Sequence, residues 1–221
     1  MPAQYCSYGS ASNYHLNNKE LDMTNFETHH NSGELLDVVD EFGRPTGEVL
    51  PKKTIHAQGL RHRDVHVWIT NGRDLLQQQR RHDKAIMPGQ WDISIGEHVD
   101  HGETYRDGAV RGTSEELGLV RAPERFVQIG KFTSQLAIPG WKEAHNVVGD
   151  NFVLLEPDLE ITGLTPQPEE VEGLRWYPID QLEADLASPA YVPGELHAEQ
   201  PPALYQLGIN GLREVIAAAG L

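Results

Sequence analysis

The chain has 221 residues, 38% of them hydrophobic, and a formal net charge of −15, so it can bury one substantial core and is poorly suited to non-specific nucleic-acid binding, which needs cations to displace counterions. Its single cysteine, Cys6, excludes an intramolecular disulfide framework and any zinc site built on several thiolates. No apolar run is long enough to span a bilayer and no secretory leader is evident, so a reducing cytoplasm is the expected compartment, without membrane contact.

Residues 1–32 are polar, rich in Asn, Ser and His and without period, and read as a disordered tail ahead of one domain over 33–221. The stretch GELLDVVDEFGRPTGEVL places two short apolar runs around Gly43, Pro45 and Gly47, the pattern of a hairpin. HRDVHVWITN (62–71) alternates around Val65, Val67 and Ile69, and after a turn LLQQQRR (75–81) reads as its paired strand.

Next comes GETYRDGAVRGTSEELGL (102–119), which reads as a helix. Thr104 caps it with Asp107 three positions on, Ala109, Val110 and Leu117 supply an apolar stripe, and Gly118 suits the C-terminal turn. Gly108 and Gly112 lie in its interior, where each costs about 1 kcal/mol relative to alanine. Glu115 and Glu116 close the helix beside Arg111, a face that a purely structural helix does not require. RFVQIGKF, NVVGDNFVLL and GLRWYPI are further strands. A short helix follows from Asp180 to about Leu186, and PPALYQLGINGLREVIAAAGL is the last helix. Strands alternating unevenly with a few helices favour an α/β fold with a mixed sheet packed between helices.

Residues 97–119 resemble the Nudix box: Gly, five residues, Glu, seven residues, then Arg-Glu-apolar-x-Glu-Glu-x-Gly-apolar. Glu103, Arg111, Glu115, Glu116, Gly118 and Leu119 fall in register. Glu97 stands where the first Gly belongs, Gly112 where the Glu after the Arg belongs, and Thr113 replaces an apolar residue. LLQQQRRHDKAIMPGQWDISIGEHVDHGE, HRDVHVWI and EEVEGLRWYPIDQL extend the resemblance over roughly 34–187, toward the branch related to isopentenyl diphosphate isomerase.

The resemblance implies a Nudix-type mixed β-sheet sandwiched between α-helices. It also implies a catalytic apparatus of Glu103, Arg111, Glu115 and Glu116 around Mg²⁺ or Mn²⁺, acting on a small-molecule diphosphate. Glu116 is the expected principal metal ligand, Glu115 a second ligand or its support, and Glu97 a substitute carboxylate. Glu103 and Arg111 resemble the pair that ties the leading loop to the helix. Arg80 and Lys84 are candidates for the substrate's phosphates. His62, His66 and His98 resemble, in part, positions near the isomerase metal site, and Glu169, Glu170 or Glu172 would supply a further ligand or base. Gly112 reads as a vacated ligand position, which sets a catalytically impaired binding module beside the hydrolase. The isomerase is disfavoured because WDISIGEH contains no cysteine. A homodimer is left open as the assembly.

Overall fold

The computed structural model describes residues 5–6, 33–84, 87–136, 145–192, 194, 196–198, 200 and 202–221. In the tail, Tyr5–Cys6 forms strand β1, pairing parallel with Lys131 and Phe132; the rest of the tail expectation lies outside the described residues. The expected hairpin is formed by β2 (Leu35–Val39) and β3 (Pro45–Pro51). Its turn closes on Asp40, whose carboxylate accepts the N–H groups of Phe42 at 2.9 Å and Arg44 at 3.0 Å. A short helix, α1 (Lys52–Gln58), follows directly, bounded by Pro51 and by Gly59.

Strand β4 (His62–Thr70) is buried along its whole length because neighbours lie on both of its edges and helices cover both of its faces. It pairs parallel with β9 (His145–Leu155) and antiparallel with β7 (Ile95–His98). The expected pairing of β4 with β5 (Asp74–Arg80) is limited to Thr70↔Leu75, since β7 takes up that edge of β4. Strand β5 instead pairs with β10 (Val171–Pro178) and with β6 (Trp91–Asp92), while β8 (Val127–Leu136) pairs with β9.

The alternation read in β4 sorts its side chains onto two cores. Val65, Val67 and Ile69 pack with Ile95, Phe152 and Leu154 against Ala109 and Leu117 of α2 (Tyr105–Leu117). On the opposite face Trp68 packs with Leu75, Val153, Leu182 of α3 (Ile179–Ala187), and Tyr205, Ile209 and Leu212 of α4 (Pro202–Ala219). Each fully buried large apolar side chain contributes about 1.5–3 kcal/mol, so these two layers account for the sandwich. Among the described residues, no helix is long and apolar enough to cross a membrane.

Gly208 lets α4 lie directly on the Trp68 ring: a Cβ there would stand 2.2 Å from Trp68 Cζ2. Gly208→Ala is therefore expected to destabilise the fold by about 1–3 kcal/mol through overpacking, measured by urea denaturation. An unchanged midpoint would mean that α4 is not seated on this ring.

Candidate functional site

Helix α2 starts with the capping box read from the sequence. The Asp107 N–H donates to Thr104 Oγ1 at 3.2 Å, and the Thr104 N–H donates to Asp107 Oδ2 at 2.9 Å. Gly118 closes it with φ 67°. Its inward face carries Gly108, Ala109, Gly112, Thr113, Glu116 and Leu117. Thr113 serves at its apolar position because its hydroxyl donates back to Ala109 O at 2.7 Å, satisfying the one polar atom within the helix.

The two adjacent glutamates have separate environments. Glu116 is 6% exposed and accepts a hydrogen bond from Gln78 Nε2 of β5 at 3.0 Å. Burial, and then the charge of Glu97, push its carboxyl well above the usual range, with Glu170 adding to the effect and Arg80 opposing it. The Glu115 side chain is 54% exposed and accepts from Arg111 Nη1 at 3.1 Å, on the solvent side of the helix.

Arg111 organises the loop ahead of the helix. Its Nε and Nη2 donate to the Glu103 carboxylate at 2.9 and 3.1 Å, and Nη2 also reaches His98 O at 2.8 Å. Glu103 in turn accepts the Asp100 N–H at 3.0 Å. The pairing expected of Glu103 and Arg111 is thus present, and it fixes the path from β7 to α2.

Gly112 is covered by a side chain from β7. A Cβ at 112 would stand 2.9 Å from Glu97 Cβ, 3.0 Å from Glu97 Cγ and 3.3 Å from Ile95 Cγ2. The position read as vacated is therefore filled. Burial raises the Glu97 carboxyl to about 7 against the opposing charges of Lys52 and Arg111.

Downstream, Glu170 is the acid whose charge reaches Glu116, and it is ion-paired with Lys84. Glu172 accepts from the His82 N–H at 3.3 Å. Arg80 lies 3.9 Å from Asp92 and is also felt by Glu116. The charges of Arg80 and Glu170 thus act on the Glu116 carboxylate, and Lys84 joins this group through its ion pair with Glu170, a grouping that sequence spacing left open.

A second cluster gathers around His98, next to Glu97 at the C-terminal end of β7. His56 Nε2 is 3.3 Å from His62 Nε2 and 3.2 Å from His98 Nε2. His62 Nδ1 is 3.0 Å from Leu60 O, which accepts only, so Nδ1 carries the proton and Nε2 presents a lone pair to the cluster. Burial holds His62 down to about 4 and His98 well below its ordinary value, so a positive charge is not readily placed on either ring. Neutral imidazoles whose nitrogens converge suit a divalent cation, and Glu34 and Glu97 extend the donor set around His98. His66, grouped with these histidines in the sequence reading, instead stacks on Phe132 at a centroid distance of 4.2 Å. His56 takes its place. It escaped the sequence reading because α1 did, although Pro51 and Gly59 bracket that helix.

Residues 60–194 match the NUDIX domain. The chain is similar to Nudix hydrolase 3 of Arabidopsis thaliana, with 34% identity over 172 residues; the match covers 75% of this chain but only 22% of that protein. It is also similar to the isopentenyl-diphosphate Delta-isomerase of Cereibacter sphaeroides, 34% identical over 143 residues, covering 63% of this chain and 77% of the relative. A crystal structure of a Deinococcus radiodurans protein superposes with a TM-score of 0.54 over 80% of this chain and 98% of that one, at 20% identity, a likeness of fold.

Proposed function

The chain belongs to the NUDIX domain family, and from that membership we propose that it is a divalent-metal-dependent hydrolase of an organic or nucleoside diphosphate. The observation that carries the reading is Glu116, a buried carboxylate on α2, with half-buried Glu97 lying against Gly112 one turn ahead of it on the same inward face. Such a pair is costly as two free anions and is relieved by a cation, so the donor set fits Mg²⁺ or Mn²⁺. An ion held there would neutralise the diphosphate and activate water for attack at phosphorus.

The remaining roles belong to the chain's own residues. Gln78 orients the Glu116 carboxylate, and Arg111 with Glu103 holds the leading loop in place, with Glu115 steadying Arg111 from the solvent side. Arg80 and Lys84 receive the phosphates at the rim, Lys84 exchanging its contact with Glu170 for one with substrate.

A second reading, an isomerase of an isopentenyl-type diphosphate, is favoured by the names of three relatives and by the histidine cluster. Against it, Trp91–His98 contains no cysteine for the proton transfers that the isomerase resemblance implies. A panel of nucleoside, sugar and isoprenoid diphosphates, incubated with Mg²⁺ or Mn²⁺, separates the two. Phosphate release that stops in EDTA is the expected result. A shifted double bond without phosphate release would establish the isomerase, and neither reaction on any substrate would favour a binding module.

A further inference from the structure

We infer that Glu97 and Gly112 form a compensating pair, in which the metal-binding carboxylate that the box places on the helix at 112 is delivered to the same space from strand β7. The inference rests on the metal-dependent reading above and adds to it a ligand that the family pattern does not contain.

Two observations carry it. The first is steric. The Glu97 stem occupies the volume that a side chain at 112 would need, with Cβ and Cγ at 2.9 and 3.0 Å from a Cβ placed there. A glutamate at 97 therefore requires glycine at 112, and a glutamate at 112 requires a small residue at 97. Each of the two departures from the box makes room for, or makes up for, the other.

The second is the setting of the Glu97 carboxylate. On one side its stem lies against Gly112, one turn ahead of Glu116 on the inward face of α2, and on the other its oxygen groups with Glu34 and with a ring nitrogen of His98. A simple strut to Arg111 does not account for this placement. The close contacts of Arg111 go to Glu103 and Glu115, while Glu97 receives only a 3.6 Å approach. A half-buried carboxylate that is not the preferred partner of its nearest guanidinium, and that groups with a second carboxylate and an imidazole nitrogen, is placed as a cation ligand. Because it comes from β7 rather than α2, it also connects the helix carboxylate with the histidine cluster, which a ligand at 112 would not do.

The test uses the full chain, stripped of metal, titrated with Mn²⁺ by calorimetry and melted in EDTA. Glu97→Gln keeps shape and removes charge. It is expected to lower affinity by about tenfold or more for the binding step that Glu116→Gln also affects, without lowering the melting temperature. Gly112→Glu alone should melt lower than the parent, because its stem overlaps Glu97. The double change Glu97→Gly with Gly112→Glu should melt above Gly112→Glu and bind Mn²⁺ within a few-fold of the parent. Unchanged affinity in Glu97→Gln would overturn the inference, as would a double variant that binds no better than Glu97→Gly alone. If the parent chain itself takes up no Mn²⁺, the metal-dependent reading fails as a whole, an outcome distinct from failure of the pair.

Discussion

Glu116→Gln is expected to slow diphosphate hydrolysis by at least two to three orders of magnitude, on the order of what losing one well-placed electrostatic group costs an enzyme. Glutamine matches the shape of Glu116 and still offers an oxygen to Gln78 Nε2, so the loss would be one of charge. The same change should leave the metal-free fold intact or make it firmer. The sign follows from the direction of the shift. A carboxyl held above its ordinary value of 4.5 by burial and by Glu97 supports the fold fully only below that value, and the support is lost as pH rises through the folded value. In EDTA at neutral pH the variant should therefore be at least as stable as the parent, the difference shrinking as pH falls toward 4.5. Phosphate release and urea denaturation, run on the same preparation, check both halves. A variant that loses activity and stability together would indicate a packing role for Glu116.

Arg111→Met should be the most damaging single change near the site for stability, by about 3–5 kcal/mol. The guanidinium holds Glu103 through two donors and also ties down His98 O and Glu115. Methionine fills much of the volume but leaves Glu103 without its cationic partner, removes the Arg111 charge from Glu97, and leaves the loop from β7 to α2 without its anchor. Arg111→Lys keeps the charge but loses the fork, and should fall between the two. Denaturation in urea measures the effect. A loss below about 1 kcal/mol would mean that Arg111 behaves as an ordinary surface ion pair.

The parts of this site that could be read in the sequence are those encoded within one element. Thr104 and Asp107 cap α2 as their spacing predicts, and Glu103 meets Arg111 because both lie in one loop-helix unit. What depends on contacts between elements was not readable. Strand β7 is only Ile95–His98, too short for a period, so Glu97 looked like part of an approach loop, and nothing in the spacing tells that it lies over Gly112. Helix α1 spans only Lys52–Gln58, and without it His56 had no reason to be grouped with His62 and His98. The selection of Glu170 from three nearby glutamates depends on how β10 is registered against β5, where Val171 pairs with Arg80. The turn between β4 and β5 suggested a long hairpin, but the competing strand β7 determines which edge of β4 is available.

The central claim, that α2 presents Glu116 as the principal ligand of a divalent cation, is tested most directly by titrating Mn²⁺ calorimetrically into the metal-stripped parent and into Glu116→Gln at the same pH. The account predicts a saturable binding step in the parent that is abolished in the variant, with the variant's circular dichroism spectrum unchanged. Equal Mn²⁺ affinity in the two proteins would contradict it.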